Sequence, residues 1–205
     1  MPTDRNIELT ISDGHASAAP RAAKKILDVA YDLFYRRGIR AIGVDEIVRR
    51  AGVTKPSLYR SFPSKDELAA SYLRQYDLDF WKRFDEAVDA HPGDPRAQIK
   101  AFLTRVGKRT QLPDYRGCGM TNAAVEYPER GHPARVVSEA NKHELRRRLR
   151  AMALAMGATD ADMLGDGLLL LIEGAYISGQ LFGLGGPAQS VATNADLLIE
   201  ASLKK

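Results

Sequence analysis

Residues 51 to 68, AGVTKPSLYRSFPSKDEL, crowd a turn glycine, two prolines and two helix starts into eighteen positions. No long helix or strand survives such punctuation; only a short helix bounded on both sides does. Thr54 can cap that helix, with Val53 before the cap and Leu58 at the fourth helical position forming a hydrophobic staple. Pro56 falls in the first turn, where a missing N–H breaks no helical bond. Phe62 precedes Pro63, which pushes it out of α geometry and ends the helix. Ser64 then opens the next helix, and Glu67 three residues on completes a capping box. Upstream, Gly52 allows a steep turn from a preceding short helix, Val44 to Ala51, that buries Ile47, Val48 and Ala51.

The remaining pattern is helical almost throughout, with few β-branched alternations. A first helix is expected from Ala22 to Arg37, stopped by Gly38. The helix opened by Ser64 carries Leu68, Tyr72, Tyr76, Phe80, Phe84 and Val88 at four-residue steps and extends to about Ala90. Further helices are expected from Asp94 to Gln111, Met120 to Tyr127, Pro133 to Met156 and Asp160 to Leu184, with a last one opened by Pro187. The expectation is an all-α chain of nine helices. It divides into a flexible arm at 1–19, a helix-turn-helix domain at 20–66 and a larger helical domain at 67–205.

Charge is unevenly spread along the 205 residues. Residues 20–65 hold eleven Lys/Arg against four Asp/Glu, a net of +7, while the remainder nets −3. A basic segment on a near-neutral chain suggests a local anionic partner. The single cysteine excludes an internal disulfide and a cysteine-rich zinc site, and fits a reducing cytoplasm. The N-terminus lacks a basic region followed by an apolar run, so it does not read as a secretory signal. The most apolar stretch, Gly167 to Leu184, is broken by Glu173, Gln180 and glycines, so no membrane partner is expected. There is no P-loop, dinucleotide glycine pattern, nucleophile elbow or metal motif, so neither an enzyme nor a cofactor is expected.

Three short helices with a glycine turn between the second and third describe a helix-turn-helix unit. With Leu58 and Phe62 anchoring the third helix, Pro56, Ser57 and Arg60 face outward, flanked by Lys55 and Tyr59. That geometry suits a DNA major groove. Lys55, Ser57 and Arg60 offer donors to base edges, Pro56 offers apolar contact to a thymine methyl, and Tyr59 offers a hydroxyl to a phosphate. Lys65, the first N–H groups of the fourth helix and the helix start at Val44 can hold the DNA backbone. With the cap Thr54 these make up the candidate DNA-binding set; Arg21, Lys24 and Lys25 can also reach phosphates or a minor groove.

The segment IVRRAGVTKPSLYRSFPSKDELAASYL resembles the DNA-binding signature of the tetracycline-repressor (TetR) family. The resemblance is strong from Ala22 to Leu73 and architectural beyond it. It implies a homodimer on a palindromic, double-stranded operator, a ligand-responsive C-terminal domain, and repression relieved by a small molecule. It also implies that the last two helices form a four-helix dimer interface; periodicity alone equally allows them to close the monomer core. Ala175, Gly179 and Gly183, four apart, would permit close helix approach, and Val191, Ala195, Leu198 and Ala201 form a stripe on the last helix.

Material for an effector pocket comes from Trp81, Phe84, Phe102, Cys118, Met120, Asn122, Glu126, Tyr127, Glu173 and Tyr176, which suits an apolar or aromatic molecule. The aromatic members serve equally as plain core. Cys118, at a helix start, offers an alternative: a thiol-based sensor of oxidants or electrophiles on the same fold. A helical protein-interaction module is a further alternative. Arg146, Arg147, Arg148 and Arg150 lie opposite a buried stripe of Leu145, Leu149, Met152 and Met156 and read as a solvated face. His132, His143, Cys118 and Glu126 have no metal-ligand spacing.

Overall fold

The computed structural model describes residues 18–203, and they form nine α-helices and one 3-10 turn, with no strand among them. The helices are α1 (Ala18–Arg37), α2 (Val44–Ala51), α3 (Lys55–Ser61), α4 (Lys65–Asp89), α5 (Pro95–Arg109), α6 (Gly119–Glu126), α7 (Pro133–Ala155), α8 (Ala161–Phe182) and α9 (Val191–Leu203). The all-α expectation holds, with local adjustments. Helix α1 starts at Ala18, four residues before the expected Ala22, and so takes in the last two positions of the expected arm. The rest of that arm lies outside the described residues. Pro187 opens a 3-10 turn, Pro187–Ser190, and the α-helix proper begins at Val191.

The turn chemistry of the short helices works as the residues dictate. Gly52 sits at φ 65°, ψ 37°, in the left-handed region that an L side chain avoids. Thr54 Oγ1 accepts from the Ser57 N–H at 3.4 Å and caps α3. Phe62, before Pro63, is extended at φ −137°, ψ 107°. Ser64 Oγ accepts from the Glu67 N–H at 3.0 Å and caps α4. The capping box is only half formed, because the Glu67 carboxylate turns to Arg74 instead.

Packing joins these helices through one continuous core. Ile26, Ala30, Leu33 and Phe34 of α1 meet Ile47, Leu58 and Leu68 beneath the short helices. Tyr72 and Tyr76 of α4 then meet Tyr31, Phe34 and Tyr35 of α1 through edge and stacked ring contacts of 5.2–6.4 Å. Burying such rings contributes more than their area alone. Helix α4 therefore serves both halves: its first turns pack on α1, and Phe80 and Phe84 pack on Phe102 of α5.

Helices α7 and α8 approach very closely. A Cβ placed on Gly165 would lie 2.7 Å from the Cα of Arg150, so glycine is required there by backbone proximity. Arg146 and Arg150 of α7 both form ion pairs with Asp166 of α8. The arginine run is thus largely paired within the chain, as expected for a solvated face.

Candidate nucleic-acid interface and effector cavities

Helix α3 is anchored by Leu58, which is fully buried, and by Phe62 at its end. Lys55, Pro56, Tyr59 and Arg60 are all exposed, and Ser57 is half-buried at the helix start. The candidate reading residues therefore share one outward face. Lys55 is not free on that face: its Nζ lies 2.6 Å from Asp45 of α2, and the hydrogen bond to that carboxylate raises its pKa. Arg60 and Tyr59 have no ion-pair or hydrogen-bond partner for their side chains among the described residues.

The candidate phosphate-contacting groups surround this face. Helix α2 begins after Gly43, which supplies no side-chain cap, and Val44 stands at its first position. The first N–H groups of a helix lack intrahelical partners, and uncapped they can bind a phosphate oxygen. The two acids of that first turn are neutralised inside the chain: Asp45 by Lys55, and Glu46 by Arg37 and Arg50. Lys65 donates to the Arg40 carbonyl at 3.4 Å, and partial burial lowers its pKa. Lys24 pairs with Asp28 on α1, while Arg21 and Lys25 are exposed.

The expected effector residues do not converge on one cavity. Phe102 and Tyr176 face a small inner chamber between α4, α5 and α8. Cys118, Asn122, Glu126, Glu173 and Tyr176 line a second cleft of about 500 Å³ between the α1–α2 turn, α6 and α8. Trp81 and Phe84 lie outside both, covered by the Arg148 guanidinium 4.1 Å from the Trp81 ring centre. Met120 is fully buried core. Tyr127 stacks on His132 at 3.8 Å between ring centres, and burial pushes its hydroxyl pKa up to about 12.

Within the second cleft the polar groups are mutually engaged. Glu173 accepts from Lys142 Nζ at 2.6 Å and from the Thr121 hydroxyl at 2.7 Å. Lys142 also donates to Cys118 Sγ at 3.4 Å, and Cys118 is 1% exposed. Glu126 is engaged across the cleft: its two oxygens accept from the backbone N–H groups of Ile39 (3.1 Å) and Arg40 (2.7 Å) on the α1–α2 turn. Residues that the sequence reading passed over are Arg109 and Tyr115, which border both the inner chamber and an outer cleft of about 680 Å³ against α1. Among the described residues no group of three or more His, Cys, Asp and Glu side chains could hold a metal, and no helix is long and apolar enough to cross a membrane.

Residues 26–72 match the family model described as bacterial regulatory proteins, tetR family. A putative TetR transcriptional regulator from Streptomyces avermitilis is 30% identical, with a TM-score of 0.76 over 88% of this chain and 97% of that one. The chain belongs to the TetR family. A TetR-family regulator from Streptomyces coelicolor superposes with a TM-score of 0.82 at 26% identity, covering 90% of this chain and 97% of the other. Among curated proteins, the transcriptional repressor KstR2 of Rhodococcus jostii is 38% identical over 80 residues, 39% of either chain. The transcriptional activator FasR of Mycolicibacterium smegmatis is 46% identical over 52 residues, about a quarter of either chain (25% and 24%). The match spans less than half the length of these curated relatives. As a TetR-family member the chain is a transcriptional regulator with an N-terminal helix-turn-helix and a C-terminal helical domain.

Proposed function

We propose that this TetR-family regulator acts as a repressor: a homodimer binds a palindromic operator through α3 and is released by a small aromatic effector. The observation that carries the DNA reading is the outward face of α3. Lys55, Pro56, Ser57, Tyr59 and Arg60 stand there on a rigidly anchored helix, beside the uncapped start of α2 at Val44. Arg60 and Lys55 supply donors for base edges, and the Lys55–Asp45 pair must open to do so. Lys65 and Tyr59 supply phosphate contacts. Two copies of α3 would sit one DNA turn apart, about 34–36 Å.

Support for the dimer comes from the outward side of α8 and α9. Leu170, Ile177, Leu181, Phe182 and Leu197 are exposed there, beside an apolar groove of about 570 Å³. A contiguous apolar surface of that kind favours a protein partner, and an isologous contact with a second copy is the simplest one. Gly179 is turned inward against Thr110 and Tyr115 and Ala195 of α9 packs within the chain, while Ala175, Val191 and Leu198 border the groove. Leucines and Ile177 thus carry the outer face.

The thiol-sensor alternative is not favoured, since Cys118 is only 1% exposed at the wall of the second cleft and its sulfur is engaged by Lys142.

The test is selection of bound sequences from a random DNA pool, followed by titration with Arg60→Ala and Tyr59→Ala. Loss of a base-contacting arginine is expected to weaken operator binding by about 1–3 kcal/mol with little change in melting temperature. Wild-type affinity in both variants would remove α3 as the reader.

A further inference from the structure

Helix α5 ends in a cation without a counter-ion. Arg96, Lys100 and Arg105 of this helix each pair with a carboxylate. Arg109 is half-buried and makes no ion pair or side-chain hydrogen bond among the described residues; the titratable groups around it are the hydroxyls of Tyr76, Tyr35, Tyr115 and Tyr176. Burial raises the hydroxyl pKa of Tyr76, Tyr115 and Tyr176 well above the ordinary 10.0, so they stay neutral at physiological pH. A guanidinium withdrawn from water and left without an anion is costly.

A second unsatisfied group stands next to it. The Tyr115 hydroxyl is buried and has no hydrogen-bond partner. Buried hydroxyls in that state are rare and unfavourable. Tyr115 is held there because Gly179 presents no side chain: a Cβ on Gly179 would lie 2.7 Å from the Tyr115 ring.

Arg109 and Tyr115 border both the outer cleft and the inner chamber. The chamber is small, about 30 Å³, walled by Phe80, Phe102, Tyr76 and Tyr176, and no carboxylate lines it. Room of that order accommodates a group no larger than about one water. The outer cleft has the volume of a ligand site and presents Leu27, Tyr31, Tyr35 and Leu112. Its acids are already engaged: Asp28 with Lys24, Asp32 and Asp114 with Arg36, and Asp79 with the Tyr31 hydroxyl.

We propose that Arg109 and Tyr115 form the recognition pair for an aromatic carboxylate, with its ring against the tyrosines of the outer cleft and its carboxylate at the mouth of the inner chamber. The inference rests on the reading of the protein as ligand-responsive, and adds the charge that the aromatic lining alone does not give. A guanidinium fork matches a carboxylate in two parallel hydrogen bonds, and the Tyr115 O–H supplies a third. A phosphate dianion fits less well, because the outer wall already carries four carboxylates. One wall of the cleft is α1, so a ring bound there lies between the DNA-binding helices and the C-terminal half.

The test is calorimetric titration of the full chain, free of DNA, with 2-naphthoate, indole-3-acetate and benzoate, each against its own amide. At least one acid is expected to bind at least about tenfold more tightly than its amide. Arg109→Met is expected to remove that preference by weakening the acid much more than the amide, and Tyr115→Phe to weaken the acid severalfold. Equal affinities for acid and amide, no binding by any of the acids, or wild-type acid binding in both variants would overturn the proposal. Should Arg109→Met fail to fold, the acid-to-amide ratio of the wild type and the Tyr115→Phe titration decide. Operator binding is measured separately on the same protein. Operator bound without any acid binding sinks this inference and leaves the DNA reading intact; acid bound without any DNA recognition does the reverse.

Discussion

Replacing Glu126 with alanine is expected to loosen the DNA-binding half from the rest of the chain. The carboxylate spans two backbone donors on the α1–α2 turn, Ile39 N–H at 3.1 Å and Arg40 N–H at 2.7 Å. Those donors converge because Gly38 adopts φ 87°, and a Cβ on that residue would come within 3.1 Å of Glu126 Oε1. Hydrogen bonds to a charged group contribute about 1.5–3 kcal/mol each when desolvated. Arg40 is exposed and its N–H can return to water, whereas Ile39 is 2% exposed. Glu126 itself is half-buried, so the total is discounted to about 2 kcal/mol.

For a chain of this size each kcal/mol lowers the melting temperature by about 2–4 °C, so the expected drop is about 4–8 °C. Glu126→Gln, which retains one acceptor oxygen, is expected to lose about half as much. Thermal unfolding measures the drop, and amide hydrogen exchange across residues 38–42 locates it. A melting point within about 1 °C of wild type, together with unchanged protection at Ile39 and Arg40, would refute the reasoning.

Two further outcomes follow from the α7–α8 contact. Gly165→Ala forces a methyl into the Arg150 backbone, whose Cα and N would stand at 2.7 and 2.8 Å; a loss of about 1–3 kcal/mol is expected in denaturant unfolding. Acid sensitivity is the other. Hydrogen bonds from Arg147 and Arg148 hold the Glu144 pKa at about 2 against an ordinary 4.5, and Arg146 and Arg150 depress Asp166 likewise. A depressed folded-state pKa gives stability that is present above the unfolded value and lost as pH falls through the folded one. Stability should therefore decline from about pH 4.5 towards about pH 2, with Asp166→Asn flattening the decline. Because these groups face solvent, high salt should flatten it too.

The parts of the molecule governed by neighbouring residues were legible in the sequence. Gly52, Thr54, Pro56 and Phe62 each act on residues within one helical turn, and the structure gives each the expected conformation. The parts governed by distant residues were not. Glu126 reads locally as a polar group for a pocket, yet its partners lie 87 and 86 positions away. Arg109 reads as an ordinary basic residue in a last helical turn; only the packing of Tyr115 and Tyr176 around it half-buries it. Lys55 reads as a free donor until α2 brings Asp45 against it. The inward turn of Gly179 was equally hidden, since helical spacing gives the faces but not which neighbour covers each.

One short segment links these distant contacts. Residues 115 to 127 begin at Tyr115, beside Arg109 and the inner chamber. The Tyr35 hydroxyl of α1 then accepts from the Arg116 N–H at 3.2 Å and donates to the Gly117 carbonyl at 3.3 Å. Helix α6 follows, and ends in Glu126 on the α1–α2 turn. A displacement of Tyr115 would thus reach the end of α1 at two points, its last turn at Tyr35 and the α1–α2 turn that follows. Under the proposed function, coupling is the difference in effector affinity between operator-bound and free protein. Cutting only the far contact with Glu126→Ala should then leave effector affinity in free protein nearly unchanged while shrinking its effect on operator affinity. An effector that still releases operator as fully from Glu126→Ala as from wild type would show that coupling runs through α4 and its tyrosines instead.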